Sequence, residues 1–166
     1  MTQNYQPERE LVKAYDDWAD SLFRFCYFKT SDREVAKDLV QQTFLKAWAY
    51  IRQGNEIKNI KAFLYHIANN IVIDWYRQPK TSSLEAMEEV GLNQRDEKVD
   101  QIKEAEFEWI LGVVKQLEPD EQDLIIWHYI EDLSSSTVAK MIGVKENTVA
   151  VRLHRALKHL KSLLNK

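Results

Sequence analysis

Cysteine, proline and glycine are scarce in this chain, which has one, three and four of them among 166 residues. The single Cys26 excludes an internal disulfide and is typical of a reducing compartment, and its apolar neighbours predict a buried thiol. So few prolines and glycines favour long helices over many turns. No apolar run approaches the ~20 residues that span a bilayer, and the first residues lack the basic and then apolar order of a secretory signal. We therefore expect a cytoplasmic protein built mainly of helices.

The net charge is small, but the charges are unevenly distributed. The whole chain has 23 Lys and Arg against 26 Asp and Glu, and the net charge of −3 by itself argues against a nucleic-acid partner. Residues 137–166 instead hold seven Lys or Arg and one acid, Glu146, and so carry +6. An acidic protein with one strongly basic end places its cations where a polyanion can bind.

Apolar residues recur at helical spacing along almost the whole chain, and no alternation marks a strand. The spacing predicts helices at about 8–29, 32–52 and 60–78 in the first half. Ser31 or Asp32 can cap the second of them. The expected apolar face of the first helix comprises Leu11, Tyr15, Trp18, Leu22 and Phe25.

A second helical unit begins near residue 101 and has Pro119 at or near the first position of a helix. Between the two units the periodicity fades, and residues 84–106 hold eight acidic and three basic residues. We therefore predict an all-α fold of two small helical domains, at 8–79 and 104–166, joined by a flexible acidic linker at 80–103.

The basic end has the spacing of a helix-turn-helix over residues 133–149. Ala139 is small where two helices would cross closely, Gly143 follows where the turn needs a positive φ, and Val149 would anchor the second helix in the core. In such motifs the second helix lies in the major groove of DNA, so charge and geometry indicate the same partner. The alternative is an ordinary helical hairpin with a solvated basic face.

The second helix of this motif is expected to face DNA with the side opposite its apolar stripe. The stripe comprises Val149, Leu153, Ala156 and Leu160. The expected DNA contacts are Lys145, Asn147, Thr148, Val151, Arg152, His154, Arg155 and Lys158. Phosphate contacts would supply most of the affinity, and the face around Val151 and His154 would supply the sequence preference. His154 has no second ligand at helical spacing, so we expect no metal site.

Two sequence segments in the first unit indicate which kind of DNA-binding protein this is. Residues 32–48, DREVAKDLVQQTFLKAW, closely resemble conserved region 2.2 of the bacterial sigma-70 family, and residues 60–77, IKAFLYHIANNIVIDWYR, resemble its regions 2.3 and 2.4. The C-terminal motif is similar to region 4 of the same family. Both units, in this order and with little else, resemble the compact extracytoplasmic-function (ECF) group. The resemblance covers about residues 11–79 and 104–163, which is nearly the whole chain.

The resemblance implies a subunit of RNA polymerase that directs promoter-specific initiation and is not itself an enzyme, so no cofactor and no small-molecule substrate is expected. The first domain would dock on the β′ coiled coil of core RNA polymerase through a polar strip on the second helix. That strip comprises Asp38, Gln41, Gln42 and Lys46. The second domain would hold the −35 element of promoter DNA and contact the β flap. Proteins of this group are commonly held inactive by an anti-sigma factor, often membrane-bound, which is therefore an expected partner.

The resemblance also implies that the third helix and the loop at 54–61 read the −10 element. The implied contacts are Lys58, Lys61, Asn69, Asn70, Asp74 and Arg77. The loop would trap a base flipped from the non-template strand, since unpaired bases are read by pockets and polar edges.

Some positions depart from the family: Gln42 stands where Glu is usual, and Thr137 stands where a Glu usually completes a capping box. Ala150 and Val151 stand where Lys and Ser are usual. These replacements remove one cation and one hydroxyl from the surface that faces the groove, so they affect which −35 sequence is read.

Two other classes of function remain open from the residues. A helix-turn-helix regulator could bind an operator without polymerase, but it would need a dimer interface or a ligand pocket, and the first unit offers neither clearly. A helical enzyme lacks support because the chain has no glycine-rich phosphate loop, no paired metal motif and no nucleophile spaced with a base. Taken without the resemblance, the polar strip and the acidic linker are solvated surface.

Overall fold

The computed structural model of the protein describes residues 6–79 and 100–165, and every regular element within them is helical, which confirms the all-α class. The elements are α1 (Pro7–Thr30), α2 (Arg33–Arg52), α3 (Ile60–Arg77), α4 (Asp100–Val114), α5 (Pro119–Ile125) with a π-helical continuation (Ile126–Ile130), α6 (Ser135–Ile142) and α7 (Glu146–Leu164). Most of the predicted linker, residues 80–99, lies outside the described residues, and α4 begins at Asp100, inside the range predicted as linker. None of the helices in the described residues is both long and apolar enough to span a bilayer.

Local hydrogen bonds set the helix boundaries of the first domain close to the predicted positions. Asp32, one of the two predicted candidates, caps α2, because its side chain accepts a hydrogen bond from the backbone N–H of Val35 at 3.0 Å. Asn59 caps α3 in the same way, through the N–H of Ala62 at 3.0 Å. Short polar side chains therefore determine where this bundle changes direction.

The first domain is a three-helix bundle in which α1 packs against both α2 and α3. Its buried side chains include Leu22, Phe25, Cys26, Ala36, Leu39, Ala47, Leu64 and Ala68. The predicted buried thiol is confirmed, because the Cys26 side chain is fully buried. This burial raises the pKa of the thiol to about 12, so the thiol is neutral. The prediction that Tyr15 faces the core is wrong. Its ring contacts Phe44 at 4.9 Å between centroids, but the side chain is 54% exposed because the space between α1 and α2 is open there.

The second domain is built around Trp127, a fully buried side chain on the π-helical segment. Its other buried residues include Val114, Leu117, Leu124, Val138, Val149, Leu153 and Ala156. Pro119 occupies the first turn of α5, as predicted. The sequence predicted an ordinary helix through Trp127, whereas the N–H of Glu131 bonds to the carbonyl of Ile126 at 2.9 Å, five residues back, which widens the turn.

The two domains pack directly on each other. The rings of Phe25 on α1 and Trp127 lie 6.3 Å apart between centroids, and both residues belong to one continuous core. Lys29 Nζ lies 2.6 Å from Asp123 Oδ1 across the same contact. The residue patterns predicted two separate helical units and did not predict this contact.

Candidate promoter and polymerase interfaces

The turn between α6 and α7 has the predicted geometry. Gly143 has a φ of +69°, and a methyl group there would meet no atom within 4 Å, so the backbone conformation and not the available space requires glycine. The N–H of Val144 donates to the carbonyl of Ala139 at 3.0 Å and closes the end of α6. Ala139 and Val149 are buried, as predicted. This turn fixes the direction in which α7 leaves the domain.

Ser134 caps the first helix of the motif. Its Oγ accepts a hydrogen bond from the N–H of Thr137 at 3.1 Å and lies 2.8 Å from the hydroxyl oxygen of Thr137. A full capping box would have a Glu at position 137 reaching back to the backbone of the cap. Here a hydroxyl pair stands in its place, so α6 keeps a cap without the usual Glu.

Helix α7 presents a broad polar face to solvent, opposite its buried stripe. Seven of the eight predicted DNA contacts are exposed: Lys145, Asn147, Val151, Arg152, His154, Arg155 and Lys158. The eighth predicted contact, Thr148, is half-buried. In the apolar stripe, Val149 is fully buried and Leu160 is half-buried. Within the described residues, Arg152, Arg155 and Lys158 form no ion pair, so their charge is available to a polyanion.

The predicted polymerase strip lies on the outer side of α2. Asp38, Gln41 and Lys46 are exposed and Gln42 is half-buried. Gln42 donates a hydrogen bond to Asp38 at 2.8 Å, so the Gln that replaces the usual Glu steadies its neighbouring carboxylate. Asp38, Gln42 and Lys46 line a shallow depression between α2 and α3.

Gln41 lies instead in a larger groove of about 730 Å³ between α1 and α2. Two apolar side chains of α2 line this groove and are exposed, Leu45 at 60% and Trp48 at 36%. Val12 and Tyr15 face them from α1 and are also exposed. Sequence reasoning missed this apolar surface, although an apolar Leu45 on the polar side of α2 was the available signal.

The residues predicted to contact the −10 element do not form one continuous face. Asn70, Asp74 and Arg77 are exposed at helical spacing on the C-terminal half of α3, and Asp74 lies 4.0 Å from Arg77. Asn69 is half-buried, and its Oδ1 is buried without a hydrogen-bond partner among the described residues. Lys58 is exposed on the loop before α3.

Lys61 is held in a contact with the second domain. Its Nζ lies 3.8 Å from Glu131 Oε2 and also donates to the backbone carbonyl of Glu131. The same ammonium lies 4.4 Å from the ring centroid of Trp18, a cation–π contact within the first domain. Burial and the nearby Glu131 carboxylate raise the pKa of Tyr65, one turn further along α3. Lys61 was predicted to contact DNA, but in this structure its ammonium contacts Glu131 and Trp18 of the same chain.

Comparisons with known families match both domains. Residues 14–81 match sigma-70 region 2, and residues 107–160 match sigma-70, region 4. The chain is 25% identical over 162 residues to the ECF RNA polymerase sigma factor BldN of Streptomyces coelicolor, with 92% of this chain and 59% of BldN covered. It is 28% identical over 160 residues to the ECF RNA polymerase sigma factor SigL of Mycobacterium tuberculosis, with 95% and 90% covered.

Two solved structures share the fold. CnrH, in complex with the cytosolic domain of CnrY, matches with a TM-score of 0.70 at 19% identity, over 95% of this chain and 89% of CnrH. The sigma factor RpoE of Bartonella quintana, in complex with the anti-sigma factor NepR, matches with a TM-score of 0.67 at 22% identity, over 95% and 98% of the two chains.

Proposed function

The chain belongs to the ECF group of the sigma-70 family, and we propose that it binds core RNA polymerase and directs promoter-specific initiation of transcription. The observation that carries the proposal is the exposed basic face of α7, the helix that follows the helix-turn-helix turn. Within the part of the chain that the structure describes, Arg152, Arg155 and Lys158 on this face form no ion pair. Sigma factors are initiation factors, so RNA synthesis itself is catalysed by the polymerase.

The second domain holds the −35 element in this proposal, with α7 in the major groove. Arg152, Arg155 and Lys158 neutralise backbone phosphates, and each phosphate neutralised adds about 0.9 to the magnitude of the salt slope. Val151 offers an apolar contact for a thymine methyl, and His154 offers a ring nitrogen to base edges. The same domain contacts the β flap of the polymerase.

The first domain docks on the β′ coiled coil of core polymerase through the outer side of α2. The polar strip supplies charged and amide contacts, and the groove beside Gln41 supplies apolar area. Leu45 and Trp48 are the side chains expected to contribute most, because exposed apolar groups that become fully buried dominate binding energies. An interface of polar rim and apolar centre is typical of specific protein contacts.

The −10 element is read by the first domain on the exposed half of α3 and the loop before it. Asn70, Asp74 and Arg77 present amide, carboxylate and guanidinium groups on one face, and such groups can bond the edges of unpaired bases. Lys58 adds a cation at the loop, where a single strand would pass.

An anti-sigma factor is the expected regulatory partner, since the solved structures of CnrH and RpoE contain the proteins CnrY and NepR. Release from such a partner, which in some cases is bound to a membrane, would leave the sigma factor free to bind polymerase. Because core polymerase and the chromosome share the bacterial cytoplasm, the proposed function places this protein there as well.

Capture of core polymerase by tagged protein tests the docking surface. Wild type should retain core stoichiometrically, and Leu45→Ala should weaken retention about tenfold, as for a central interface residue. The double change Asp38→Ala and Gln41→Ala should also weaken it. Ile73→Ala, an exposed apolar position on α3, serves as the matched control and should bind like wild type.

The outcomes separate the proposal from its rival. Normal retention by Leu45→Ala and by the double variant would mean that the docking surface lies elsewhere. A protein that retains no core, yet binds a specific duplex alone, would be an operator-binding regulator.

A further inference from the structure

Tyr50 lies near the C-terminal end of α2 and is 38% exposed, although the proposed function gives it no contact. The centroid of its ring lies 4.8 Å from that of Phe63 on α3, and the two ring planes are inclined by 42°. Phe63 is half-buried and packs against the buried core. One side of the Tyr50 ring is therefore supported by the bundle, while the remainder of the side chain is open to solvent.

The loop between α2 and α3 is held beside this ring. Gly54 takes a φ of +83° just after the end of α2, and its N–H donates to the carbonyl of Ile51 at 2.9 Å. The side-chain amide of Asn55 donates to the backbone carbonyl of Tyr50 at 3.0 Å. Ile57 is half-buried and packs against the core. These contacts fix the position of the loop relative to Tyr50.

The other exposed aromatic side chains in the described part of the first domain lie elsewhere. Tyr15 and Trp48 line the groove between α1 and α2. Tyr76 is on the last turn of α3, and its hydroxyl donates to the backbone carbonyl of Lys29 at the end of α1. Tyr50 is therefore the exposed aromatic residue of this domain that lies beside the loop before α3.

The surroundings of Tyr50 suit a single strand of DNA. Three charged side chains on or next to the loop are exposed, Arg52, Glu56 and Lys58, and these two cations and one anion give a net charge of +1. An aromatic ring beside cations is typical of sites for single strands, because the ring stacks on a base and the cations attract the backbone. The bases of a duplex are already stacked on each other, so their faces are not accessible to such a ring.

We propose that the ring of Tyr50 stacks on one unpaired base of the −10 element and so stabilises the separated strands of the promoter. This inference deepens the proposed function and rests on it, because that function assigns the −10 element to the loop and to α3. Phe63 is a positioning residue, since it supports the Tyr50 ring from the side of the bundle. Every base has a π face, so Tyr50 contributes affinity for single-stranded DNA with little preference between bases.

Binding of holoenzyme to forked DNA, made from a promoter that the wild-type holoenzyme transcribes, tests the stacking. The fork has a duplex −35 element followed by the non-template strand alone at the −10 element, and a second fragment has only the duplex part. The readout is the ratio of the two dissociation constants, measured by fluorescence anisotropy. Tyr50→Leu should reduce the affinity gained from the single strand by between about 5-fold and about 150-fold, the range for one stacked base. Tyr50→Phe keeps the ring and should give the wild-type ratio.

Tyr129→Leu is the matched control, because Tyr129 is also exposed, at 52%, and its ring lies 4.8 Å from that of His128. Tyr129 belongs to the second domain, so its replacement should leave the ratio unchanged. Urea unfolding checks that each variant is folded. A folded Tyr50→Leu variant with the wild-type ratio overturns the proposal. A Tyr50→Phe variant that loses as much affinity as Tyr50→Leu overturns it too, because the ring would then not be what binds.

Photocrosslinking of the wild-type holoenzyme gives a readout that needs no variant and that a purely structural role of Tyr50 would not produce. 5-Iodouracil is placed in turn at each position of the single-stranded −10 element, where light attaches it to an aromatic side chain stacked on it. Mass spectrometry of the digested adduct then identifies the residue. The proposal predicts an adduct at Tyr50 from at least one position, and no adduct at Tyr50 from any position overturns it.

The outcomes separate failure of this inference from failure of the proposed function. A holoenzyme that initiates transcription, and whose fork binding is the same with Tyr50→Leu, removes the stacking by Tyr50 alone. A wild-type protein that never retains core polymerase removes the proposed function, and the stacking with it.

Discussion

Replacing Gly143 with alanine should lower the free energy of unfolding by about 1 kcal/mol without removing any contact. At a φ of +69° a Cβ approaches the following carbonyl oxygen, which costs about 1–2 kcal/mol. The reduced conformational freedom of alanine in the unfolded chain offsets about 0.4–1 kcal/mol of this. No atom lies within 4 Å of the added methyl group, so no steric clash contributes.

Gly112 is the matched control, because its added methyl group also meets nothing within 4 Å and its φ is not in the positive range. It lies inside α4, where alanine is preferred to glycine by about 0.5–1 kcal/mol. Urea unfolding followed by circular dichroism should therefore show opposite shifts for Gly143→Ala and Gly112→Ala. Shifts of the same sign would refute the argument that the turn conformation, and not space, requires Gly143.

Three further predictions concern the thiol, the cap and the basic helix. Cys26 should not react with a thiol reagent at pH 8 until the protein unfolds, because burial raises its pKa to about 12; rapid reaction of the native protein would contradict this. Ser134→Ala should lower stability by about 1 kcal/mol through loss of the α6 cap, measured by urea unfolding against Ser136→Ala, and equal effects of the two would argue against the cap. Arg155→Ala should weaken binding to the −35 duplex and reduce the magnitude of the salt slope by about 0.9, whereas an unchanged slope would place this side chain away from the phosphates.

Features set by a few adjacent residues were predictable from the sequence. Asp32 caps α2, Pro119 begins α5 and Gly143 forms the turn of the helix-turn-helix, each as expected. In each case the side chain or backbone preference of one residue decides the local conformation. The helical period likewise predicted that Val149 and Leu153 are buried on α7, which left the basic face exposed.

Features set by distant residues were not predictable. Lys61 and Glu131 are 70 residues apart in the chain, and no local pattern pairs them. Tyr15 continues the apolar period of α1 but is exposed because α1 and α2 leave a groove open beside it. Leu45 was not predicted as a polymerase contact because the strip around it is polar. Its side chain is nevertheless exposed, which makes it the central side chain of the proposed docking surface.

Run-off transcription with core RNA polymerase over a pool of genomic promoter fragments tests the central claim most directly. The account predicts transcripts with defined start sites that require this protein, and the sequences upstream of those starts should share −35 and −10 motifs. Transcription by core polymerase that is the same with and without the purified protein, in the absence of any inhibitor, would contradict it.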